Sequence, residues 1–252
     1  MRGQSGFIAT SSTHSAAFFI AVAAAALLVS CGLPTADYLY PPAYFDNTGA
    51  SQLILDHNTG NAYADNGFTG YAIYYRAFDD LAKATSSYNS INTSISSSNI
   101  KYISSSYGYY PLLKINSTDS TKYDFSPLIT SAVCESGSYV RFFVNMSNSS
   151  IWILQGMKSS DSTIVNIASI VRDKNTSYLP SQADFSISNY YANGDQDYDG
   201  SSNPSNVYFV FFAVACGTSS SSLLDIYSNP SDSSANTIIL QSEPYNPLNS
   251  SP

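Results

Sequence analysis

The chain has 252 residues, 44% of them hydrophobic and 14% aromatic, with 21 tyrosines, only 11% charged residues and a formal net charge of −8. Soluble domains usually carry ~25% charged residues; here Ser, Thr and Asn replace them as the wetted surface, and the Tyr-rich, β-branched content suits a folded, strand-rich chain rather than a disordered one. An acidic chain with no basic run argues against nucleic acid as a partner, and it gains nothing from anionic lipid head groups.

The first 30 residues read as a signal peptide. Arg2 is the only charged side chain before Cys31, and a 14-residue apolar run extends from Ala16 to Val29. Such a run is short of the ~20 residues that span a bilayer and fits the hydrophobic part of a secretory signal. Leu28-Val29-Ser30-Cys31-Gly32 resembles the bacterial lipobox. That chemistry needs a thiol at Cys31 to accept diacylglycerol, and small residues before it so that the peptidase can hold a narrow, extended chain. The expected product is a membrane lipoprotein held at Cys31 by two or three acyl chains such as palmitate, where one chain alone is marginal. Residues 31–43 read as the lipidated cysteine and a tether whose Pro34, Pro41 and Pro42 bar an ordinary helix.

Beyond the tether, Gln52–Asp56 is expected as a strand and Asn58–Gly67, rich in Asn, Gly and Asp, as a loop. Phe68–Phe78 is the next strand; alternation puts Tyr71, Ile73 and Tyr75 on one face and Ala72, Tyr74 and Arg76 on the other. Asp79-Asp80 offers a cap for a helix from Leu81 to about Ser97, with Leu81, Tyr88, Ile91 and Ile95 at helical spacing. Strands are expected at Tyr107–Ile115, Tyr139–Asn145, Ile151–Leu154, Thr163–Arg172, Phe185–Tyr191, Val207–Cys216, Leu223–Tyr227 and Thr237–Leu240. Val207–Cys216 is the most apolar of them and suits a buried strand. Residues 242–252 read as a flexible tail.

Many short strands with turn-rich gaps and one helix imply a mainly β, antiparallel sandwich over residues 44–241. Phe68-Thr69-Gly70-Tyr71-Ala72-Ile73-Tyr74-Tyr75-Arg76 resembles the third strand of a fibronectin type III domain. Tyr208–Ala215, Gly217 and Tyr227-Ser228-Asn229-Pro230-Ser231 are similar to that family's last two strands. The family's early Trp is missing, and the matched stretches lie much farther apart than in the family. The resemblance therefore implies an immunoglobulin/fibronectin type III-like sandwich with a long, partly helical insertion around residues 79–135. Cys31-Gly32-Leu33-Pro34, Tyr38-Leu39-Tyr40-Pro41-Pro42 and Gly70-Tyr71-Ala72-Ile73-Tyr74-Tyr75 resemble secreted lipoproteins of spirochaetes, treponemes in particular. That second resemblance implies a location in the cell envelope and no particular activity.

Chemistry-bearing groups are sparse. Cys134 and Cys216 remain after Cys31 takes its lipid; in an exported chain they either form one disulfide or stay as two buried thiols. Asp195-x-Asp197-x-Asp199-Gly200 matches the first half of a calcium loop, with Ser201 and Asn203 at the next ligand positions. Asn206 stands where the bidentate Glu belongs, so the reading is either a weak calcium site or an acidic solvated loop. His57, between Asp56 and Asn58, is the only histidine after the signal and offers no triad; no nucleophile elbow, P-loop or zinc spacing occurs. Adjacent tyrosines at Tyr74-Tyr75, Tyr109-Tyr110 and Tyr190-Tyr191 leave one ring of each pair facing outward on a strand, suited to a protein or glycan contact. The expectation is an envelope lipoprotein, on the periplasmic face or cell surface, acting as a non-enzymatic binding or adhesion module. The alternatives are a structural envelope lipoprotein and a hydrolase with paired carboxylates.

Overall fold

A computed structural model describes residues 38–47, 51–63, 67–116, 118–119, 122–124, 127–147, 152–173, 185, 187, 190, 195–201, 204–220, 222–231 and 237–242. The segment expected as a signal peptide, Cys31 and residues 243–252 lie outside the described residues. The strands are Tyr44–Asn47 (β1), Gln52–Asp56 (β2), Phe68–Phe78 (β3), Tyr110–Pro111 (β4), Leu113–Ile115 (β5), Tyr123–Asp124 (β6), Ile129–Thr130 (β7), Tyr139–Asn145 (β8), Trp152–Lys158 (β9), Ile164–Val171 (β10), Tyr198–Asp199 (β11), Asn206–Thr218 (β12), Asp225–Tyr227 (β13) and Thr237–Ser242 (β14). The helices are Leu81–Ser94 (α1), Ile103–Tyr107 (α2) and Ser131–Glu135 (α3).

The architecture is mainly β, as the strand count implies. One antiparallel sheet runs β1-β2-β8-β9-β10-β5-β6; the second is built on the long antiparallel pair β3–β12. The two stretches that carry the fibronectin-like pattern are thus neighbours, with Tyr75 opposite Phe211. On its other edge β3 takes β7, β4 and then the parallel β11 in succession. The other edge of β12 takes β14 along Asn206–Phe211 and β13 along Cys216–Thr218.

Alternation assigns the layers. Tyr71, Ile73, Tyr75 and Ala77 of β3, with Phe209, Phe211, Ala213 and Ala215 of β12, face the first sheet and pack against Phe45, Leu55, Phe142, Val144, Trp152 and Leu154. The opposite residues, Ala72, Phe78, Val210, Phe212 and Val214, are covered by Ala84 and Ile91 of α1 and by Ile95, Ile100, Ile103 and Tyr109. The segment expected as an insertion therefore supplies a third, helical layer, and also lends β5 and β6 to the first sheet.

Between β14 and β13, the edge of β12 is closed by side chains. Ser231 N–H donates to Ala213 O (2.8 Å) and its Oγ accepts from Ala213 N–H (3.1 Å); Ser228 does the same at Ala215 (3.0 and 2.9 Å). Ser231→Ala should strand the buried Ala213 N–H and cost about 1–3 kcal/mol in a urea titration.

Several boundaries differ from expectation for physical reasons. Asp80 caps α1, its carboxylate accepting from Ala82 N–H (2.6 Å) and Lys83 N–H (3.2 Å), while Asp79 accepts from Ser201 N–H (2.7 Å). The buried stripe of α1 starts at Ala84 and leaves Leu81 exposed. The expected strand Tyr107–Ile115 begins as helix: α2 runs to Tyr107, stopped by left-handed Gly108 at φ 68°. Of the expected strand Phe185–Tyr191 only Phe185, Ile187 and Tyr190 are described; all three are buried, and Tyr190 N–H turns back to Ile187 O (3.4 Å). The expected tether is already docked at Leu39, which is buried in the core beside Phe45.

Candidate functional site

A groove of about 320 Å³ lies at the second sheet, between outer-face residues that border the helix-covered cluster and the chain segments at Pro111–Leu113 and Pro127–Leu128. Ala72 and Tyr74 of β3, Cys216 of β12 and Tyr227 of β13 line it, with Pro111, Pro127 and Asp225. The register explains the grouping: Cys216 is paired with Tyr227 on one side, and Tyr74 lies opposite Phe212, on which its ring stacks at 5.4 Å. Burial, with Cys216 and Tyr227 alongside, pushes the Tyr74 phenol up; burial likewise raises Tyr227, and raises the Cys216 thiol to about 12. All three groups are therefore neutral near pH 7. Among the described residues, Asp225 is the one carboxylate of the lining. The groove offers aromatic rings, neutral hydroxyls and one anion, a set that holds a ligand by stacking and hydrogen bonding. Tyr74 was singled out by its pairing with Tyr75, and Asp225 and Tyr227 fell in an expected strand; what the sequence did not show is that this strand lands beside Cys216.

The carboxylates of the acidic loop meet cationic side chains. Arg172 is fully buried, and its guanidinium donates to both oxygens of Asp197 (2.8 and 2.7 Å) and to Asp195 (2.9 Å). Its flat face lies 3.7 Å from the Tyr190 ring centroid. The Tyr75 hydroxyl donates to Asp197 and accepts from Asp173 N–H (3.0 Å). Asp199 turns the other way, to Arg76 (2.6 Å) and Lys83 (3.5 Å). The three carboxylates expected as calcium ligands are thus split between two arginines, and Asn206 opens β12. Among the described residues no group of three or more His, Cys, Asp or Glu side chains is arranged to hold a metal ion. Sequence reading found the acidic loop and missed its partner; the available signal was an arginine closing the apolar strand Thr163–Arg172.

Beside this cluster, burial and then the Asp197 charge raise the Asp173 carboxyl to about 6, against a hydrogen bond from Gln196 (2.9 Å). A carboxyl with a raised folded-state pKa binds more protons folded than unfolded, so stability falls as pH rises from about 4 to 6. Asp173→Asn should therefore raise the midpoint of urea unfolding at pH 7 and flatten its pH dependence over that window.

Cys134 and Cys216 are free thiols, the unbridged one of the two arrangements left open above. Cys134 packs in the core between the sheets, whereas Cys216 lies on the opposite, outer face of the second sheet. His57 is structural in its surroundings: the Tyr71 hydroxyl accepts from Asn58 N–H (2.9 Å) and Asn61 Nδ2 (3.1 Å), which leaves its proton for His57 Nδ1 (3.0 Å). Burial lowers the His57 pKa and favours the neutral ring.

The fold and the groove together define a class, an antiparallel β-sandwich with a helical outer layer and an aromatic groove. Compared with protein-family models, curated proteins and solved structures, the chain matches none.

Proposed function

We propose that the chain is a lipid-anchored, extracytoplasmic binding module that holds a glycan in the groove beside Tyr74 and Tyr227 without transforming it. The observation that carries this reading is the groove itself: two neutral phenols and, among the described residues, a single carboxylate form a recognition set. The lipobox at Leu28–Cys31 supports the anchor. The pairing of β3 with β12, and the return of Tyr227–Ser231 along β12, support a fibronectin type III-like reading of the second sheet. A purely structural envelope lipoprotein would need no such groove.

A glycan array probed with the purified protein tests the proposal. Binding is expected, and Tyr227→Ala should weaken it at least tenfold, taking about 1.4 kcal/mol or more per site; since Tyr227 also packs against the outer core, the comparison is made well below the variant's own thermal midpoint. Equal binding by both proteins, or none by the parent, would remove the groove from the account. Protease treatment of intact and lysed cells separates a surface location, degraded on intact cells, from a periplasmic one, protected until lysis.

A further inference from the structure

We infer that the end of the sandwich bearing Tyr38, Tyr40, Tyr44 and the Leu223-Leu224 turn is a membrane-contact surface that rests in the interfacial layer of a phospholipid bilayer. The inference deepens the proposed function and rests on its lipid anchor at Cys31.

The first argument is the length of chain between the anchor and the docked body. Leu39 is 1% exposed. Tyr40 is clamped by a two-way amide: its N–H donates to Asn61 Oδ1 (2.8 Å) and its carbonyl accepts from Asn61 Nδ2 (2.8 Å). Asn58 Nδ2 holds Pro41 O (3.1 Å), and the Tyr71 hydroxyl binds both Asn58 and Asn61 from below. The chain is therefore fixed to the body by Tyr40, and the steps from Cys31 to Tyr38 reach at most about 25 Å. A domain of this size is roughly 40 Å across. A body held on so short a leash cannot turn end for end, and the end at which Tyr38 leaves it faces the lipid.

The second argument is what that end exposes. Tyr38, Tyr40 and Tyr44 are 51%, 46% and 43% exposed, and Tyr38 meets Tyr40 edge-to-face at 4.9 Å. Tyr44 opens β1 opposite Asp56, just before the turn that carries Asn61. The other sheet ends here too: Phe68 lies 5.7 Å from the His57 ring, and Thr218 N–H bonds to Gly67 O at the mouth of the β12–β13 turn. At that turn Leu223 and Leu224 stand 78% and 68% exposed, and Leu223 holds a left-handed φ of 58°. Leucines were expected inside a strand from Leu223 to Tyr227; the strand starts at Asp225 and leaves them at the tip. Aromatic and aliphatic tips at one end, next to an acyl anchor, match the head-group boundary, where such rings partition. Charge there gives no attraction to anionic lipid: Arg141 forks onto Asp56 (2.7 and 2.7 Å), Asp46 accepts from Tyr44 (3.3 Å), and Glu135, near His57, is exposed.

The test uses the full-length lipidated protein in phosphatidylcholine vesicles carrying a nitroxide high on the acyl chain. Trp152, the only Trp, is 1% exposed in the core and should keep its emission. Tyr40→Trp and Leu224→Trp should each add emission that is mostly lost when the nitroxide lipid is present. Leu81→Trp, at the start of α1 next to the opposite end of β3, should add emission that survives. If the Tyr40→Trp and Leu224→Trp variants float with the vesicles and their added emission survives the nitroxide, the contact is overturned and the anchor stands. Protein that does not float with the vesicles would overturn the anchor and the contact together.

Discussion

Arg172→Ala is expected to lower the stability of the folded part by about 3–5 kcal/mol, the scale on which removal of one partner from a buried ionic cluster destabilises a protein. The guanidinium is the cation facing Asp195 and Asp197, which are 7% and 0% exposed. Without it two carboxylates remain in a dry interior, and the face that covered the Tyr190 ring is lost. The loss would spread along the chain, because the cluster joins the end of β10 to β11 and, through the Tyr75 hydroxyl, to the middle of β3. Arg172→Lys should recover only part of the loss: an ammonium keeps the charge but cannot fork onto Asp197 while lying flat on an aromatic ring. Urea titrations at pH 7 read the difference. A loss below about 1 kcal/mol for the alanine variant would mean that water reaches the cluster and screens it as it does a surface pair.

Gly70→Ala is expected to cost about 3 kcal/mol or more, from overpacking added to backbone strain. Gly70 sits at φ 144°, where β7 crosses β3, and a Cβ there would drive into the carbonyl oxygen of Ile129 and against Pro127 and Thr130. The clash is mainly with the backbone of β7, so no rotamer relieves it. Gly137→Ala is the control: its φ of 66° carries strain, but nothing lies within 4 Å of the added methyl. It should lose only the ~1–2 kcal/mol of a left-handed residue. Similar thermal midpoints for the two variants would show that β7 can leave β3 at little cost.

These positions mark what a single sequence reveals here. Gln52–Asp56, Phe68–Phe78 and Tyr139–Asn145 were legible to the residue, because each alternates or runs apolar between turn formers. The face assignment of Tyr71, Ile73 and Tyr75 was legible for the same reason. The two-residue strands β6, β7 and β11 were not: their pairing partners, not their composition, make them strands. The docked segment at Tyr38–Pro42 read as a tether because proline hides its one buried leucine, and the Asn61 clamp is a contact across 21 residues. For Asp195, Asp197 and Asp199 the sequence left a weak calcium site or a solvated loop open, because spacing along the chain cannot show that Arg172, just after β10, and Arg76 of β3 point at them. The choice between a disulfide and two thiols turns on a point that alternation can supply: Cys216 shares its side of β12 with Phe212 and Val214, away from the core that holds Cys134.

The proposed anchor at Cys31 underlies both the proposed function and the inferred membrane-contact end, and mass spectrometry of the protein's N-terminal peptide tests it most directly. The account predicts that no peptide from residues 1–30 survives and that the chain begins at Cys31 with a diacylglyceryl-modified thiol. An intact peptide running through Leu28-Val29-Ser30-Cys31-Gly32, or a mature N-terminus with a free Cys31 thiol, would contradict it.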